Sequence, residues 1–231
     1  MGGGIEAKIE GEPGEAARAG HRLGSGEGWK SVAKGLGLGP VDLIAAVARI
    51  GLGGEGSEGP GLVQSPPDHP QLKRALTEEA LAAMAPDAPR AARLALAAGL
   101  FQILDFWDPS HTAAQEADDL GERATSAYWH MIAHRREPDA GNALYWARRV
   151  GRHPIFGALG EAARPLLEAH GDPGLTDRLI PGGSWSPAAL IDLVTRAKAG
   201  SPDEALARRL QRLEMVHLLG ATVEALGLPA D

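Results

Sequence analysis

The 231-residue chain contains no cysteine, and this absence removes several kinds of chemistry together. Without thiols there is no disulfide framework, no thiolate metal site and no cysteine nucleophile. Long apolar runs are missing as well, because the most apolar stretches, residues 41–50 and 94–106, fall short of the ~20 residues that a membrane helix requires. The N-terminal residues lack the basic and apolar regions of a signal peptide. We therefore expect a soluble, cytoplasmic protein with no membrane partner.

The 30 acidic residues outnumber the 23 lysines and arginines, so the formal net charge is −7. An acidic surface disfavours binding to nucleic acid, which we do not expect as a partner. Residues 123–152 are the exception, because they carry six arginines against Glu137 and Asp139, a local balance of +4. This segment predicts either a site for a small anionic molecule or a solvated helix face whose arginines form intramolecular ion pairs.

The alternation of polar and β-branched residues that is typical of strands is absent, and helix start signals recur instead. These signals are Thr77, Asp108 followed by Pro109, Asp139, Ser186 and Ser201. We predict an all-α protein of seven or eight helices, forming an irregular bundle or orthogonal array around a central αα-hairpin at residues 124–154. Residues 90–106 are apolar enough to form a buried central helix.

Glycine is distributed unevenly, because 18 of the 31 glycines lie within residues 1–61. Glycine loses more backbone entropy on folding than any other residue. We therefore predict that residues 1–70 form an irregular segment with one short helix at Val41–Ile50. Residues 71–231 are predicted to form a single helical domain, in which the charged positions of 203–214 make an ordinary solvated face.

Aromatic residues make up only 4% of the chain, yet eight of the ten lie between Phe101 and Phe156, together with four of the eight histidines. His130 and His134 are spaced i, i+4 and therefore share one face of a helix. The next helix carries a stripe formed by Asn142, Trp146, Arg149 and His153. A stripe that mixes aromatic, amide and basic groups suits neither solvent nor an apolar core, so we predict the wall of a polar pocket.

A third histidine, His111, falls near the start of the helix that begins at Asp108. A protonated imidazole is disfavoured at the positive end of a helix dipole. We therefore expect His111 to be neutral at pH 7, with one ring nitrogen free to accept a proton or to bind a metal ion.

Four sequence blocks carry a resemblance to known proteins. They are SHTAAQ at 110–115, YWHMIAHRREPD at 128–139, NALYWARRVGRHP at 142–154 and, more weakly, WSPAALIDLV at 185–194. The chain resembles, over residues 90–225, a family of uncharacterised bacterial and fungal helical proteins. The resemblance implies a shared helical fold and a shared polar cluster, and it implies no particular activity.

The first functional hypothesis is a metal site for zinc or iron. Two histidines at i, i+4 with a third from another helix form a common ligand arrangement. The ligands would be His130 and His134 with His111 or His153, and Glu116 is a candidate carboxylate ligand. A coordination position open to water would make hydrolysis the natural chemistry.

The second hypothesis is a metal-free site for a small anionic molecule. Arg149 and either Arg135 or Arg136 would bind a phosphate or carboxylate. The remaining roles fall to His111, His130 or His134 as general acid or base, Trp146 or Trp129 as a stacking wall, and Gln115 and Asn142 as orienting groups.

The third hypothesis is a non-enzymatic helical scaffold, in which the same cluster is a buried polar network that fixes the hairpin. The sequence alone does not choose between an enzyme and such a scaffold.

Overall fold

A computed structural model describes residues 4–54 and 56–228, and every regular element in these ranges is helical. The helices are α1 Ile5–Ile9, α2 Pro13–Ser25, α3 Trp29–Leu36, α4 Pro40–Leu52, α5 Glu78–Met84, α6 Arg90–Ile103, α7 Trp107–Asp119, α8 Thr125–Arg136, α9 Ala140–Val150, α10 Phe156–His170, α11 Pro173–Leu179, α12 Pro187–Arg196 and α13 Pro202–Glu224, with short 3₁₀ turns at Pro70–Ala75 and Pro181–Gly183. The all-α prediction is confirmed. The predicted count was too low, because the described residues contain thirteen α-helices.

The prediction of an irregular N-terminal segment is wrong, since residues 5–52 form four helices instead of one. Glycine here marks helix ends rather than disorder. Gly26 and Gly37 end α2 and α3 in the left-handed conformation that glycine adopts without strain, and Gly39 is the N-cap of α4. Between these ends, Leu23 and Trp29 are buried in the main hydrophobic core.

The main core is centred on α6 and α8. Eleven of the 14 residues of α6 are buried, which confirms the predicted central helix, and all twelve residues of α8 are buried. The two helices approach closely at Gly99, where an added Cβ would lie 2.7 Å from the ring of Trp129. Because α8 is enclosed on all sides, its polar side chains, including His130, lie in the interior.

A second, smaller hydrophobic cluster lies between α10, α11, α12 and the N-terminal half of α13. The remainder of α13 contributes Met215, Leu218 and Leu219 to the main core. With 23 residues, α13 is about 34 Å long, so one helix joins the two clusters.

Several predicted helix starts are confirmed by hydrogen bonds from the capping side chains. Thr77, Asp139, Ser186 and Ser201 each accept a backbone N–H of the first turn. Asp108 does not cap a helix, because α7 begins one residue earlier, at Trp107. Asp172 caps α11, a helix that the sequence analysis did not predict.

Among the described residues, no single helix has both the length and the apolarity to cross a bilayer; α3 and α4 meet those criteria only as a pair, which is bent by 99°.

Candidate metal centre

The turn between α7 and α8 brings three histidines together. At the end of α7, Gly121 has a φ of 96°, and the N–H of Glu122 donates to the carbonyl of Ala117 at 3.1 Å, which closes the helix. The carboxylate of Glu122 then accepts the N–H of Ser126 at 2.6 Å and so caps α8. The chain reverses here, and His111 and His134 are equally distant from the middle of the turn. His111 of α7 and His134 of α8 therefore lie side by side on the two packed helices.

The imidazoles of His111, His130 and His134 form a compact cluster. The ring centroid of His111 lies 4.3 Å from that of His130 and 5.0 Å from that of His134, and the rings of His130 and His134 are 5.0 Å apart. One ligand atom from each residue lies within 4.8 Å of the other two. Of the four histidines that the sequence analysis proposed as ligands, these three converge, and the cluster could hold a metal ion.

Burial favours the neutral forms of His111 and His130. It lowers the pKa of His130 to about 3, with smaller contributions from the charges of His111 and His134. The pKa of His111 is also lowered, first by burial and then by His134, while Glu137 and Asp108 act in the opposite direction. The neutral state expected for His111 is supported, and the first cause of its lowered pKa is burial. Neutral imidazoles have the lone pairs that a metal needs.

Glu137 is a member of the site that the sequence analysis missed. Its Oε2 lies 3.0 Å from Nδ1 of His134, and since a carboxylate only accepts, Nδ1 carries the proton. Nε2 of His134 is therefore the nitrogen available to a metal ion. A carboxylate behind a histidine ligand is a recurrent feature of metal sites. The spacing of His134 and Glu137, i, i+3 at the end of α8, is the sequence signal for this pair.

Two tryptophans enclose the histidines. Trp146 of α9 stacks on His130 with a centroid distance of 3.8 Å, and Trp107 of α7 stacks on His111 at 5.0 Å. The indole N–H of Trp107 donates to the carbonyl of Ala133 at 2.8 Å and so ties α7 to α8. Trp146, which was predicted to form a stacking wall for a bound anion, packs instead against a histidine of the cluster. Trp129 lies elsewhere, with its N–H bonded to Thr222 at 3.0 Å.

Two other predicted ligands lie outside the cluster. His153 packs against Tyr128 and Phe156, at centroid distances of 5.4 and 6.0 Å, and its Nδ1 accepts the N–H of Ile155. Burial lowers the pKa of His153, so it is a neutral histidine of the interior. Glu116 is turned toward Arg90, with which it forms an ion pair.

The arginines predicted to bind an anion are bonded to carboxylates of the protein. Nε and Nη2 of Arg149 donate to both oxygens of Asp118, at 3.2 and 2.5 Å, and the guanidinium lies 5.5 Å from the ring of Trp146. Arg136 pairs with Asp105 at 2.5 Å. Intramolecular ion pairs, the alternative raised by the arginine-rich segment, therefore account for both side chains.

Arg135 belongs to a buried network around Glu214, which contradicts the solvated face predicted for residues 203–214. The carboxylate of Glu214 is fully buried and accepts from Arg135 at 2.6 Å, from the hydroxyl of Tyr128 at 2.9 Å and from the indole of Trp185 at 3.2 Å. Burial and the charge of Glu214 raise the pKa of Tyr128 well above its usual range. The network ties α8 to α13, and it does not include the three clustered histidines.

The two predicted orienting amides serve local structure. Nε2 of Gln115 donates to Asp119 at 2.9 Å, one turn along α7, and Nδ2 of Asn142 donates to Asp139 at 2.8 Å, within the cap of α9. The structure therefore gathers His111, His130, His134, Trp107, Trp146 and Glu137 into one centre, and it gives the other predicted site residues different partners.

In the comparisons with known proteins, no family model, no curated protein and no solved structure matches the chain.

Proposed function

We propose that the protein binds one divalent transition metal ion, zinc or ferrous iron, through His111, His130 and His134. The observation that carries this proposal is the convergence of three imidazoles from two helices, with one ligand atom of each within 4.8 Å of the others. Imidazole nitrogen is a preferred ligand of both ions.

The three imidazoles need to move only a short distance to bind a metal ion. Zinc–nitrogen bonds of ~2.0–2.1 Å in a tetrahedral site place the nitrogens about 3.3 Å apart. The ligand atoms lie within 4.8 Å of one another, so each pair has to close by about 1.5 Å at most, which ring rotation can supply. Nδ1 of His130 is buried and has no hydrogen-bond partner among the described residues. A buried imidazole nitrogen without a partner is unfavourable, and a metal–ligand arrangement relieves this.

The surroundings of the cluster support binding as well. Glu137 fixes the tautomer of His134 and makes that imidazole more basic. The guanidinium of Arg149, which lies 5.5 Å from the ring of Trp146, is paired with the carboxylate of Asp118. Of the three histidines, His111 is only half-buried, so the cluster can be reached from solvent on that side.

The chemistry that follows is metal-assisted hydrolysis. A zinc ion with three protein ligands keeps one position for water and lowers the pKa of that water toward 7. The residues of the chain would then act by position: three neutral imidazoles hold the ion, Glu137 orients one of them, and Trp107 and Trp146 exclude bulk water from two sides.

The test is metal content measured on the untagged full chain after reconstitution with zinc and with ferrous iron. We expect about one ion per chain in the parent, and a cobalt-substituted form with the visible spectrum of a four- or five-coordinate site. His130→Asn and His134→Asn should lose the ion. His153→Asn is the matched control, because it removes a buried histidine outside the cluster and should retain the ion.

Circular dichroism of each variant separates lost ligation from lost folding. Equal metal content in the parent, His130→Asn and His134→Asn, with all three folded, would overturn the proposal. So would a parent that takes up no ion under any reconstitution condition.

A further inference from the structure

A cleft lies away from the histidine cluster, between α2, α4 and the 3₁₀ turn at Pro70–Ala75. Its volume is about 640 Å³, which is within the range of small-molecule sites. Ala16 and Ile50 are among its apolar lining residues, and His21, Arg49 and His69 provide its basic groups. Asp and Glu are absent from the lining formed by the described residues.

Arg49 distinguishes this cleft from an ordinary surface groove. Seven arginines of the described residues are buried or half-buried: Arg22, Arg49, Arg93, Arg135, Arg136, Arg208 and Arg212. Six of the seven have a carboxylate within 4.0 Å. Within the part of the chain that the structure describes, Arg49 is the exception. A half-buried guanidinium that has no carboxylate partner among the described residues is suited to bind an anion from outside.

Among the described residues, the hydrogen bonds of Arg49 engage one of its three guanidinium nitrogens. Nη1 donates to the carbonyl of Ile9 at 2.6 Å, and thus satisfies a carbonyl at the end of α1. The other two nitrogens have no partner among the described residues, although a guanidinium can bind both oxygens of a carboxylate at once. Gly54 leaves room for this group, because an added Cβ there would lie 2.4 Å from Nη2 of Arg49.

We infer that this cleft binds a small carboxylic acid with an apolar body. The apolar wall formed by Ala16 and Ile50 would take the body, and the free edge of Arg49 would take the carboxylate. Gly20 lets that wall close, since a Cβ at this position would lie 2.7 Å from Cδ1 of Ile50. The inference is independent of the metal centre, because none of the three histidines of that centre lines the cleft.

The experiment is a titration of the ¹⁵N-labelled full chain with 4-butylbenzoate and, separately, with the neutral 4-butylbenzamide. We expect saturable shifts at residues around the cleft for the acid, and affinity at least ~10-fold weaker for the amide, equivalent to ~1.4 kcal/mol. Arg49→Gln should weaken binding of the acid by a similar factor and leave the amide unchanged. Arg49→Lys keeps the charge and should retain most of the affinity.

Three further variants make the result decisive. Arg164→Gln removes an exposed arginine outside the cleft and should behave as the parent. Ala17→Trp should fill the cleft and abolish binding while Arg49 is retained, which keeps the test informative if Arg49→Gln unfolds. Glu55 follows Gly54 in the sequence and lies outside the described residues; Glu55→Gln should bind the acid at least as tightly as the parent does.

The inference is overturned if the acid and the amide bind equally, if Arg49→Gln binds the acid like the parent, or if neither the parent nor Glu55→Gln shows saturable binding. In any of those cases the role of Arg49 is to donate a hydrogen bond to the carbonyl of Ile9 at the end of α1. Its replacement then lowers the stability of the fold and has no effect on ligand binding.

Discussion

The two ring nitrogens of His134 lie in different surroundings, and this asymmetry defines the role of Glu137. Nδ1 faces the carboxylate of Glu137 at 3.0 Å, while the ring also approaches His111 and His130. A carboxylate that accepts the Nδ1 proton holds the ring in one orientation and increases the electron density on Nε2. Glu137 is partly exposed, so its contribution is to positioning rather than to the stability of the fold.

Replacement of Glu137 by Gln should therefore weaken metal binding by about 10–100-fold with little change in the free energy of unfolding of the metal-free protein. Competition with a chromophoric zinc chelator measures the affinity. Glu116→Gln is the control, since Glu116 is a nearby exposed carboxylate that pairs with Arg90 instead. Equal zinc affinities in the parent and Glu137→Gln would show that the 3.0 Å contact has no role in ligation.

Sequence spacing predicted the pairing of His130 and His134 because that geometry is local, and it left His111 and His153 as alternatives for the third histidine. His130 and His134 share a face because of helical periodicity. The tight turn between α7 and α8 places His111, the preceding histidine in the sequence, beside them. The partners of Arg135 and Arg149 could not be predicted in this way. Glu214 lies 79 residues beyond Arg135, and its burial depends on how α13 packs on α8, which no local pattern specifies.

At the scale of elements, glycine has different structural roles at different positions. Gly26 and Gly37 end helices, whereas Gly99 lies inside α6 and allows α8 to approach. Capping side chains such as Thr77 and Ser201 could be recognised because each bonds to backbone within three residues. The N-terminal helices could not, because helix stability there comes from burial of residues such as Trp29 against distant elements.

The contact between α6 and α8 predicts opposite effects for two glycine-to-alanine changes. Gly99→Ala would place a methyl group 2.7 Å from the buried ring of Trp129, which cannot swing aside, so we expect destabilisation of about 1–3 kcal/mol despite the better helix propensity of alanine. Gly157→Ala, in α10, adds its methyl group with nothing within 4 Å and should stabilise by up to ~1 kcal/mol. Urea denaturation of both variants measures the difference. A stability for Gly99→Ala equal to that of the parent would mean that the two helices can separate without loss.

At the scale of the whole molecule, an acidic chain keeps several histidines neutral in its interior. Burial lowers the pKa of His111, His130, His153 and His217, so each resists protonation in the folded state. The unfolded chain has no such restriction, and its histidines titrate near 6.5. At these four positions the folded protein therefore binds fewer protons than the unfolded chain once the pH falls below about 6.5.

The metal-free protein should consequently be most stable above about pH 6.5 and should lose stability as the pH falls toward 3. His130 alone, with a pKa of about 3 in the folded protein, accounts for a loss on the order of 3 kcal/mol between pH 7 and pH 4. Urea denaturation at a series of pH values measures this dependence in the parent and in His130→Gln, which has no titrating group at this position. The variant should show a shallower decline, because it lacks the loss of about 3 kcal/mol that His130 causes in the parent between pH 7 and pH 4. Parallel curves would mean that His130 is protonated as readily in the folded protein as in the unfolded chain, and the lone pair required for metal binding would then not be held ready by burial.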